Sequence, residues 1–332
     1  MTQAVDLSGR PVVVIAGPTC SGKSALALAV ARAMDGVVIN ADSMQVYRDL
    51  RVLTARPSPE EEAAVPHRLY GVLPAHEAGS VAWWRASAMA AIEAAWEDGR
   101  LPVLCGGTGM YMRALTDGLT DIPDAGAEAR AEARRLVEEE GPATLHARLA
   151  AVDPESAAAL RPSDSQRVAR AWEVWTGTGH GMAHWRRTAT LPPLACRRVA
   201  VRLEPPRDIL RAAIARRFEA MLEAGALEEV RALLAQDLSP ALPAMRAHGV
   251  PELAAHLRGE LSLEEAMGRA VLATGRYTRR QTTWFAHHRL AEVADTRVID
   301  TRIGNDAQQM ERNYASVISF ILNRIDAGRQ FP

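Results

Sequence analysis

Apolar residues in the first third of the chain, and again near residue 200, fall into short continuous runs bounded by glycine, proline or polar residues. Such runs predict buried strands of a parallel sheet, and here they cover 11–16, 36–40, 101–105 and 198–203. Between them, apolar residues recur at helical spacing in 25–34 and 81–98. The alternation of strands and helices predicts an α/β fold in which helices flank a parallel sheet.

From about residue 120 the pattern changes, because alanine, arginine and glutamate dominate and no strand pattern returns before 198. We predict a mostly helical insertion domain at 121–192, with helix breaks at 141–142 and 153–154, where proline follows glycine or aspartate. The core domain then consists of 1–120 together with 193–332, and 56–67 is predicted to be a loop. Later helices are predicted at 208–222, 226–235, 251–258, 262–287 and 306–326.

Composition limits the classes of protein that remain. The chain has 332 residues, 48% hydrophobic and 24% charged, which is typical of a soluble globular protein. No apolar run approaches the ~20 residues of a membrane-spanning helix, and the start lacks a signal-peptide pattern. The net charge of −1 argues against a general nucleic-acid coat, and three widely spaced cysteines predict neither disulfides nor a zinc site. We expect a cytoplasmic monomer without membrane contact.

The segment 17–24 has the spacing of a phosphate-binding P-loop, with two glycines four residues apart followed by lysine and a hydroxyl. Its residues are Gly17, Pro18, Thr19, Cys20, Ser21, Gly22, Lys23 and Ser24. Because it joins a predicted strand to a predicted helix, its backbone N–H groups and the helix N-terminus would face phosphate oxygens. Lys23, the only lysine among 39 basic residues, would place a charge on the phosphates, and Ser24 would offer its hydroxyl to Mg²⁺.

Two further segments follow predicted strands and should reach the same edge of the sheet as the P-loop. Asp42 follows the second strand, and its position alone fits either a general base or a cap on a following helix. After the third strand, Gly106 and Gly107 permit a close backbone approach, and Thr108 presents a hydroxyl or serves the turn. Nucleotide hydrolases usually end this strand in an acidic metal ligand, and Cys105 stands there instead.

Six motifs, in this order along most of the chain, resemble those of the tRNA dimethylallyltransferases, which prenylate an adenine beside the anticodon. Any one of them is weak evidence, whereas DSMQVY and RRQTTWF after a P-loop form a very specific combination. The motifs are GPTCSGKS at 17–24, ADSMQVY at 41–47, VPH at 65–67, GGTGMY at 106–111, DSQR at 164–167 and RRQTTWF at 279–285.

The resemblance implies transfer of a dimethylallyl group from dimethylallyl diphosphate to N6 of adenine 37 in tRNA. It implies Asp42 as the general base for the N6 proton, with Lys23, the P-loop and Mg²⁺ on Ser24 stabilising the departing pyrophosphate. Thr108 and Arg217 match a threonine and an arginine near the diphosphate in the family, although Arg217 also fits an ordinary solvated helix face. Pyrophosphate departure requires no water activation, which accounts for the missing acidic strand end.

The resemblance also implies contacts with the tRNA anticodon stem-loop, whose unstacked bases are read by hydrogen bonds and stacking. On the helix at 262–287, a basic face beside an aromatic face suits RNA, although Trp284 alone is more typical of a core. The residues expected to contact tRNA are Asp42, Ser43, Met44, Gln45, Thr108, Arg130, Ser163, Asp164, Ser165, Gln166, Arg167, Arg246, His248, Gly249, Arg279, Arg280, Gln281, Thr282, Thr283, Trp284 and Phe285.

The chain departs from the family pattern in places that concern tRNA more than chemistry. Ser163 stands where asparagine is common, and Ala286 where an arginine usually follows the Trp-Phe pair. Val250 and Pro251 remove an aromatic and a basic residue, and Cys20 replaces a common alanine in the P-loop. Two other functions stay open. A small-molecule kinase on the same P-loop would phosphorylate without tRNA, and a nucleotide-gated RNA-binding protein would bind tRNA without reaction.

Overall fold

The computed structural model describes residues 9–303 and 307–327. The described residues up to Thr116, together with those from Leu194 onward, form one compact unit, and Asp117–Pro193 form a second. The sequence-based boundaries of the insertion, 121 and 192, lie four residues and one residue inside these limits. No helix among the described residues is both long enough and apolar enough to cross a bilayer.

The first unit begins with alternating strands and helices. Its elements up to Thr116 are β1 (Pro11–Ala16), α1 (Lys23–Ala33), β2 (Gly36–Asn40), α2 (Pro59–Ala64), β3 (His67–Arg68), α3 (Val81–Glu97), β4 (Leu101–Gly106) and α4 (Gly109–Thr116).

The second unit consists of helices and one short ribbon. In chain order it contains β5 (Leu119–Thr120), α5 (Ala127–Glu140), α6 (Pro142–Val152), α7 (Pro154–Ala158), α8 (Ser165–Thr178), α9 (Met182–Thr188) and β6 (Thr190–Leu191).

The chain then returns to the first unit, mainly as helices. The remaining elements are β7 (Arg197–Leu203), α10 (Arg207–Glu223), α11 (Ala226–Leu234), α12 (Val250–Leu257), α13 (Leu263–His287), β8 (Thr296–Ile299) and α14 (Ala307–Ala327). The first residue of the predicted last helix, 306, lies outside the described residues.

Six strands of the first unit form a parallel sheet in the order β3-β2-β4-β1-β7-β8. Every residue of β1, β2 and β4 is buried, because helices cover both faces of the sheet. Alternate residues of β1 serve different cores: Val14 packs in the cluster of Trp84 from α3, and Ile15 in that of Leu26 from α1. The predicted α/β class is confirmed.

Since the strands are parallel, their carboxyl ends lie at one edge of the sheet. Backbone segments at the ends of neighbouring strands approach each other closely there. A Cβ on Gly17, directly after β1, would lie 2.9 Å from the Leu203 carbonyl oxygen of β7. A Cβ on Gly106, at the end of β4, would lie 2.1 Å from the backbone of Ala41 after β2. Glycine at both positions therefore lets the ends of four strands, β1, β2, β4 and β7, approach one another closely at this edge.

The structure corrects the sequence-based interpretation in three places. The predicted loop at 56–67 contains α2, which starts at a capping box between Ser58 and Glu61, and the edge strand β3. Strand β8 has four residues and none of them is buried, so its apolar pattern is too weak to detect. The insertion contains the antiparallel pair β5-β6, of two residues each.

In the second unit the predicted helix breaks are confirmed. Pro142 occupies the first turn of α6, where its missing N–H is not needed. Asp153 caps α7 by accepting a hydrogen bond from the Ser156 N–H at 3.2 Å. Small apolar clusters hold this unit together, one around Leu145 and the other around Leu149, both fully buried.

Candidate active site

The P-loop takes the shape that its glycines and its helix predict. Cys20 and Gly22 both have positive φ, 67° and 95°, which turns the chain sharply before α1 begins at Lys23. A side chain on Gly22 would collide with Ile303, whose carbonyl oxygen lies 2.3 Å from the Cβ position. The first N–H groups of α1 have no partner within the helix, so the loop presents them to an anion.

Lys23 and Ser24 occupy different environments at the start of α1. Lys23 is only 8% exposed, and its ammonium donates to the Pro18 carbonyl oxygen at 3.4 Å, so its charge is held inside the loop. Ser24 is exposed.

Burial raises the pKa of the Cys105 thiol, at the end of β4, to about 11. The position where nucleotide hydrolases carry an acidic residue is therefore uncharged at neutral pH.

Asp42 follows β2, and a buried asparagine fixes its backbone. Asn40 is fully buried, and its side-chain amide accepts from the Asp42 N–H at 2.8 Å and donates to the Asp42 carbonyl oxygen at 2.9 Å. The Asp42 carboxylate in turn accepts from the Met44 N–H at 2.9 Å. The next helix, α2, begins only at Pro59, so the alternative that Asp42 caps a following helix is wrong.

Thr108 links the β4 loop to the segment after Asp42. Its hydroxyl oxygen accepts a hydrogen bond from the Ser43 N–H at 2.9 Å and lies 3.3 Å from the Ser43 hydroxyl. Its backbone N–H donates to the Ala41 carbonyl oxygen at 3.1 Å. Thr108 and Asp42 are thereby held next to each other at the carboxyl edge of the sheet.

Arg217 reaches the P-loop from α10. One guanidinium nitrogen lies 3.6 Å from Cys20 Sγ, and the other donates to the Thr54 carbonyl oxygen at 3.4 Å. The loop that carries Thr54 is anchored by Glu229, whose carboxylate accepts three successive backbone N–H groups. The donors are Arg51, Val52 and Leu53, at 2.6, 2.7 and 2.9 Å.

Asp42, Arg217 and the middle of the P-loop line one cavity in the first unit, whereas Lys23, Ser24 and Thr108 lie outside its lining. Thr19 and Cys20 of the P-loop, Asp42 and Arg217 form its polar part. Most of the remaining wall is apolar, and it consists of Met44, Leu53, Ile214, Phe218, Met221 and Ala247, with His248, Thr54, Thr274 and Tyr277 beside them. Such a site can hold an anion at one end and an apolar group next to it.

Helix α13 closes one side of this cavity with Tyr277. Burial raises the pKa of the Tyr277 hydroxyl to about 12, with the nearby Asp42 charge adding to the effect. The His248 ring lies 5.2 Å from the Tyr277 ring, and burial lowers the pKa of His248 below its usual range. Both groups are therefore neutral at pH 7, and the nearest positive charge on this side is Arg280, whose guanidinium lies 5.6 Å from the centre of the Tyr277 ring.

The predicted tRNA contacts of the first unit divide by exposure. Arg246, Arg279, Arg280 and Thr283 are exposed, whereas Ser43, Met44, Thr282 and Trp284 are half-buried. Four others lie inside the protein: Gln45, Gly249, Gln281 and Phe285. Gln45 donates to the carbonyl oxygens of Thr54 and Ala55, and Phe285 is 1% exposed in the core. The side chains of Gln45, Gln281 and Phe285 are thus committed to the fold, and Gly249 is packed against Leu53 and Phe218.

The remaining predicted tRNA contacts lie in the second unit. Ser163, Ser165, Gln166 and Arg167 are exposed at the start of α8, and Asp164 caps that helix by accepting the Arg167 N–H at 3.2 Å.

Arg130, also in the second unit, is bound within its own domain. It donates to Asp124 at 2.5 Å and to Glu173 at 3.2 Å. Glu173 is 8% exposed and also accepts from Arg170 at 2.5 Å. Arg130 therefore has structural partners in addition to the tRNA contact predicted for it.

Two residues that build the site, Asn40 and Glu229, belong to none of the motifs. Asn40 is visible in the sequence as a polar residue at the end of an apolar strand, which is a signal for a structural role at the strand edge. Glu229 lies in an ordinary amphipathic helix, and no local pattern distinguishes it from the exposed Glu228 beside it. Its role depends on a loop 176 or more residues earlier in the chain.

Comparisons with known proteins show to which family the chain belongs. A family model described as IPP transferase matches residues 45–288, and one described as isopentenyl transferase matches residues 10–77. The tRNA dimethylallyltransferase of Gluconacetobacter diazotrophicus is 80% identical over 332 residues, covering 100% of both chains. That of Gluconobacter oxydans is 63% identical over 318 residues, covering 96% of each.

Solved structures show the same fold. A tRNA isopentenylpyrophosphate transferase from Bacillus halodurans has a TM-score of 0.66 at 31% identity, over 96% of this chain and 99% of that one. A eukaryotic dimethylallyltransferase acting on tRNA has a TM-score of 0.74 at 27% identity, over 95% of this chain and 80% of that one. The resemblance seen in the motifs is confirmed, and the chain belongs to the IPP transferase family.

Proposed function

We propose that this protein transfers a dimethylallyl group from dimethylallyl diphosphate to N6 of adenine 37 in tRNA and releases pyrophosphate. The observation that carries the proposal is the one cavity lined jointly by the P-loop, Asp42 and Arg217. Relatives named tRNA dimethylallyltransferases match the chain over nearly its whole length, which supports the same activity here. Adenine N6 bonds to the allylic carbon, the carbon–oxygen bond to the diphosphate breaks, and N6 loses one proton.

The diphosphate end of the cavity is suited to a leaving anion. The buried Lys23 and the Arg217 guanidinium supply positive charge, and the N-terminal N–H groups of α1 supply fixed donors. Such preorganised donors stabilise charge that grows on the pyrophosphate as the carbon–oxygen bond breaks. The neutral thiol of Cys105 fits this chemistry better than a hydrolase or kinase, which would use an acidic metal ligand there.

Mg²⁺ is the metal that this set of donors fits, because it prefers hydroxyl and phosphate oxygens and retains several waters. The exposed Ser24 hydroxyl would hold it together with the diphosphate. When bound, the ion would add positive charge beside the leaving group. Among the described residues, no group of three or more His, Cys, Asp or Glu side chains could hold a metal, which is consistent with an ion that arrives with the diphosphate.

The apolar wall of the cavity suits a five-carbon prenyl chain. Leu53, Ile214, Phe218 and Met221 lie next to the P-loop residues in the same cavity. Burial of a branched hydrocarbon against such side chains is favourable by about 0.8 kcal/mol for each CH₂ group. The wall would also keep water away from the reactive allylic carbon, which would otherwise be hydrolysed.

Asp42 is the proposed general base for the N6 proton. The Asn40 side chain is hydrogen-bonded to both the N–H and the carbonyl oxygen of Asp42, and the Met44 N–H orients the Asp42 carboxylate. A positioned general base contributes roughly 10²–10⁴-fold to a rate. Thr108, which accepts from the Ser43 N–H beside Asp42, is the residue that we propose to contact the diphosphate near the breaking bond.

The tRNA would approach over exposed basic residues. The predicted contacts that the structure leaves exposed are Arg246, Arg279, Arg280 and Thr283 in the first unit and Ser163, Ser165, Gln166 and Arg167 in the second. Arginine side chains contact phosphates and stack on unpaired bases. We propose that the protein acts as a monomer in the cytoplasm, where its tRNA substrate is found.

The test of this proposal is transfer of labelled dimethylallyl to an anticodon stem-loop, without ATP, by wild type and Asp42→Asn. We expect the variant to lose roughly 10²–10⁴-fold in rate and to bind the stem-loop normally. Asp35→Asn is a matched control, because Asp35 is exposed and its positive φ of 48° suits asparagine. Near-normal transfer by Asp42→Asn would remove Asp42 as the base, and absence of transfer by the wild type under these conditions would contradict the proposed reaction.

A further inference from the structure

Helix α13 lies directly against the loop that carries Thr108. A Cβ on Gly107 would lie 2.2 Å from Gln281 Nε2, and a Cβ on Gly109 would lie 2.3 Å from the Trp284 ring. Glycine is therefore required at both positions for α13 to approach this loop so closely. Thr108 lies between the two contacts. The same face was interpreted from the sequence as an RNA-contacting surface.

Within this contact, the Gln281 side chain joins two loops that are far apart in sequence. Its carbonyl oxygen accepts from the P-loop N–H of Thr19 at 2.9 Å, and its NH₂ group donates to the Gly107 carbonyl oxygen at 2.9 Å. The two partners fix the orientation of the amide, since only its oxygen accepts and only its nitrogen donates. Gln281 is 4% exposed, so RNA cannot reach it in this arrangement.

We propose that Gln281 is a positioning residue for the transfer reaction, rather than a tRNA contact. This inference depends on the proposed function. Thr19 belongs to the loop that would hold the diphosphate, and Gly107 precedes Thr108, which holds Ser43 beside Asp42. One buried amide therefore sets the separation between the leaving group and the base.

The reaction should be sensitive to loss of the two Gln281 hydrogen bonds, because they join the two loops that would hold the reacting groups. Nucleophile, allylic carbon and leaving group must be aligned, and a displacement of about 1 Å is expected to cost on the order of 10²-fold in rate. Removing the amide leaves the Thr19 N–H and the Gly107 carbonyl without their partner, so both loops can shift. Arg279 and Arg280 on the same helix are exposed, so we expect their access to tRNA to persist after such a change.

The test compares Gln281→Met, which keeps the side-chain length but removes both hydrogen bonds, with Thr278→Val. Thr278 lies one turn earlier on α13, is 5% exposed and donates only to the Gly275 carbonyl oxygen of its own helix. The control therefore removes a buried hydrogen bond from the same helix without touching either loop. For each protein, kcat and the two KM values are measured with dimethylallyl diphosphate and an anticodon stem-loop.

We expect Gln281→Met to lower kcat by about 10²-fold while its KM for the stem-loop stays within about twofold of wild type. Thr278→Val should keep a kcat close to that of wild type. A kcat for Gln281→Met equal to that of Thr278→Val, or a loss confined to the stem-loop KM, would overturn the positioning role. Absence of transfer by the wild-type protein would instead overturn the proposed function.

Discussion

Replacement of Glu229 by glutamine tests whether one carboxylate holds the loop beside the cavity. Glu229 accepts the backbone N–H groups of Arg51 and Val52 through one oxygen and that of Leu53 through the other. In the glutamine variant the remaining carbonyl oxygen can keep the first two donors. The new NH₂ group then faces the Leu53 N–H, so that two donors oppose each other.

The expected loss of stability follows from these three contacts. A hydrogen bond to a charged group contributes about 1.5–3 kcal/mol, against about 0.5–1.5 kcal/mol for a neutral one. The variant loses one charged bond and weakens two others, so we expect a decrease of about 3 kcal/mol in the free energy of unfolding. Because Leu53 lines the cavity and Thr54 follows it, the loop should also lose order there.

The assay is urea-induced unfolding, combined with hydrogen exchange of the peptide that spans residues 50–55. Glu228→Gln is the matched control, since Glu228 makes only a 3.5 Å surface pair with Arg231, and we expect it to change stability by less than about 0.5 kcal/mol. We expect lost amide protection in Glu229→Gln alone. Equal urea midpoints and equal protection in the two variants would refute the reasoning.

Three further predictions concern buried groups. Trp84→Phe should lower stability by about 2–4 kcal/mol in urea unfolding, because Trp84 is fully buried and its ring N–H donates to the Asn40 carbonyl oxygen at 2.8 Å. Cys105, with its pKa raised to about 11, should resist iodoacetamide at about pH 8 in the native protein and react after unfolding, as mass spectrometry would detect. Burial lowers the pKa of His248, so the unfolded chain takes up its proton first; stability should fall as the pH drops below about 6.5, and His248→Asn should reduce that slope. The pKa of His67 is also lowered by burial, so part of this pH dependence should remain in the His248→Asn variant.

The parts of the fold that the sequence predicted well are those fixed by local patterns. β2 was predicted at its observed bounds, because a fully buried parallel strand is a continuous apolar run ended by a polar residue. The P-loop was found because its glycines and Lys23 have fixed spacing. By contrast, β8 is a short exposed edge strand whose place depends on pairing with β7, and no local signal records that pairing.

The candidate site was predictable in position and less so in detail. That Asp42 and Thr108 would meet followed from the parallel sheet, whose strand ends share one edge. The role of Gln281 was not predictable, because helical spacing shows which residues share a face but not what that face contacts. Its neighbours Arg280 and Thr283 are exposed, whereas Gln281 is bonded to two loops from distant parts of the chain.

The proposed reaction requires the diphosphate of the prenyl donor, and not a nucleotide, in the P-loop. A crystal structure of the protein with Mg²⁺ and an unreactive dimethylallyl thiodiphosphate would decide it. We predict the diphosphate on the N–H groups of 20–24 and near Lys23, with the prenyl carbons against Leu53 and Phe218 and the allylic carbon facing Asp42. An empty P-loop in that crystal, with ATP bound there in a matched experiment, would contradict the account.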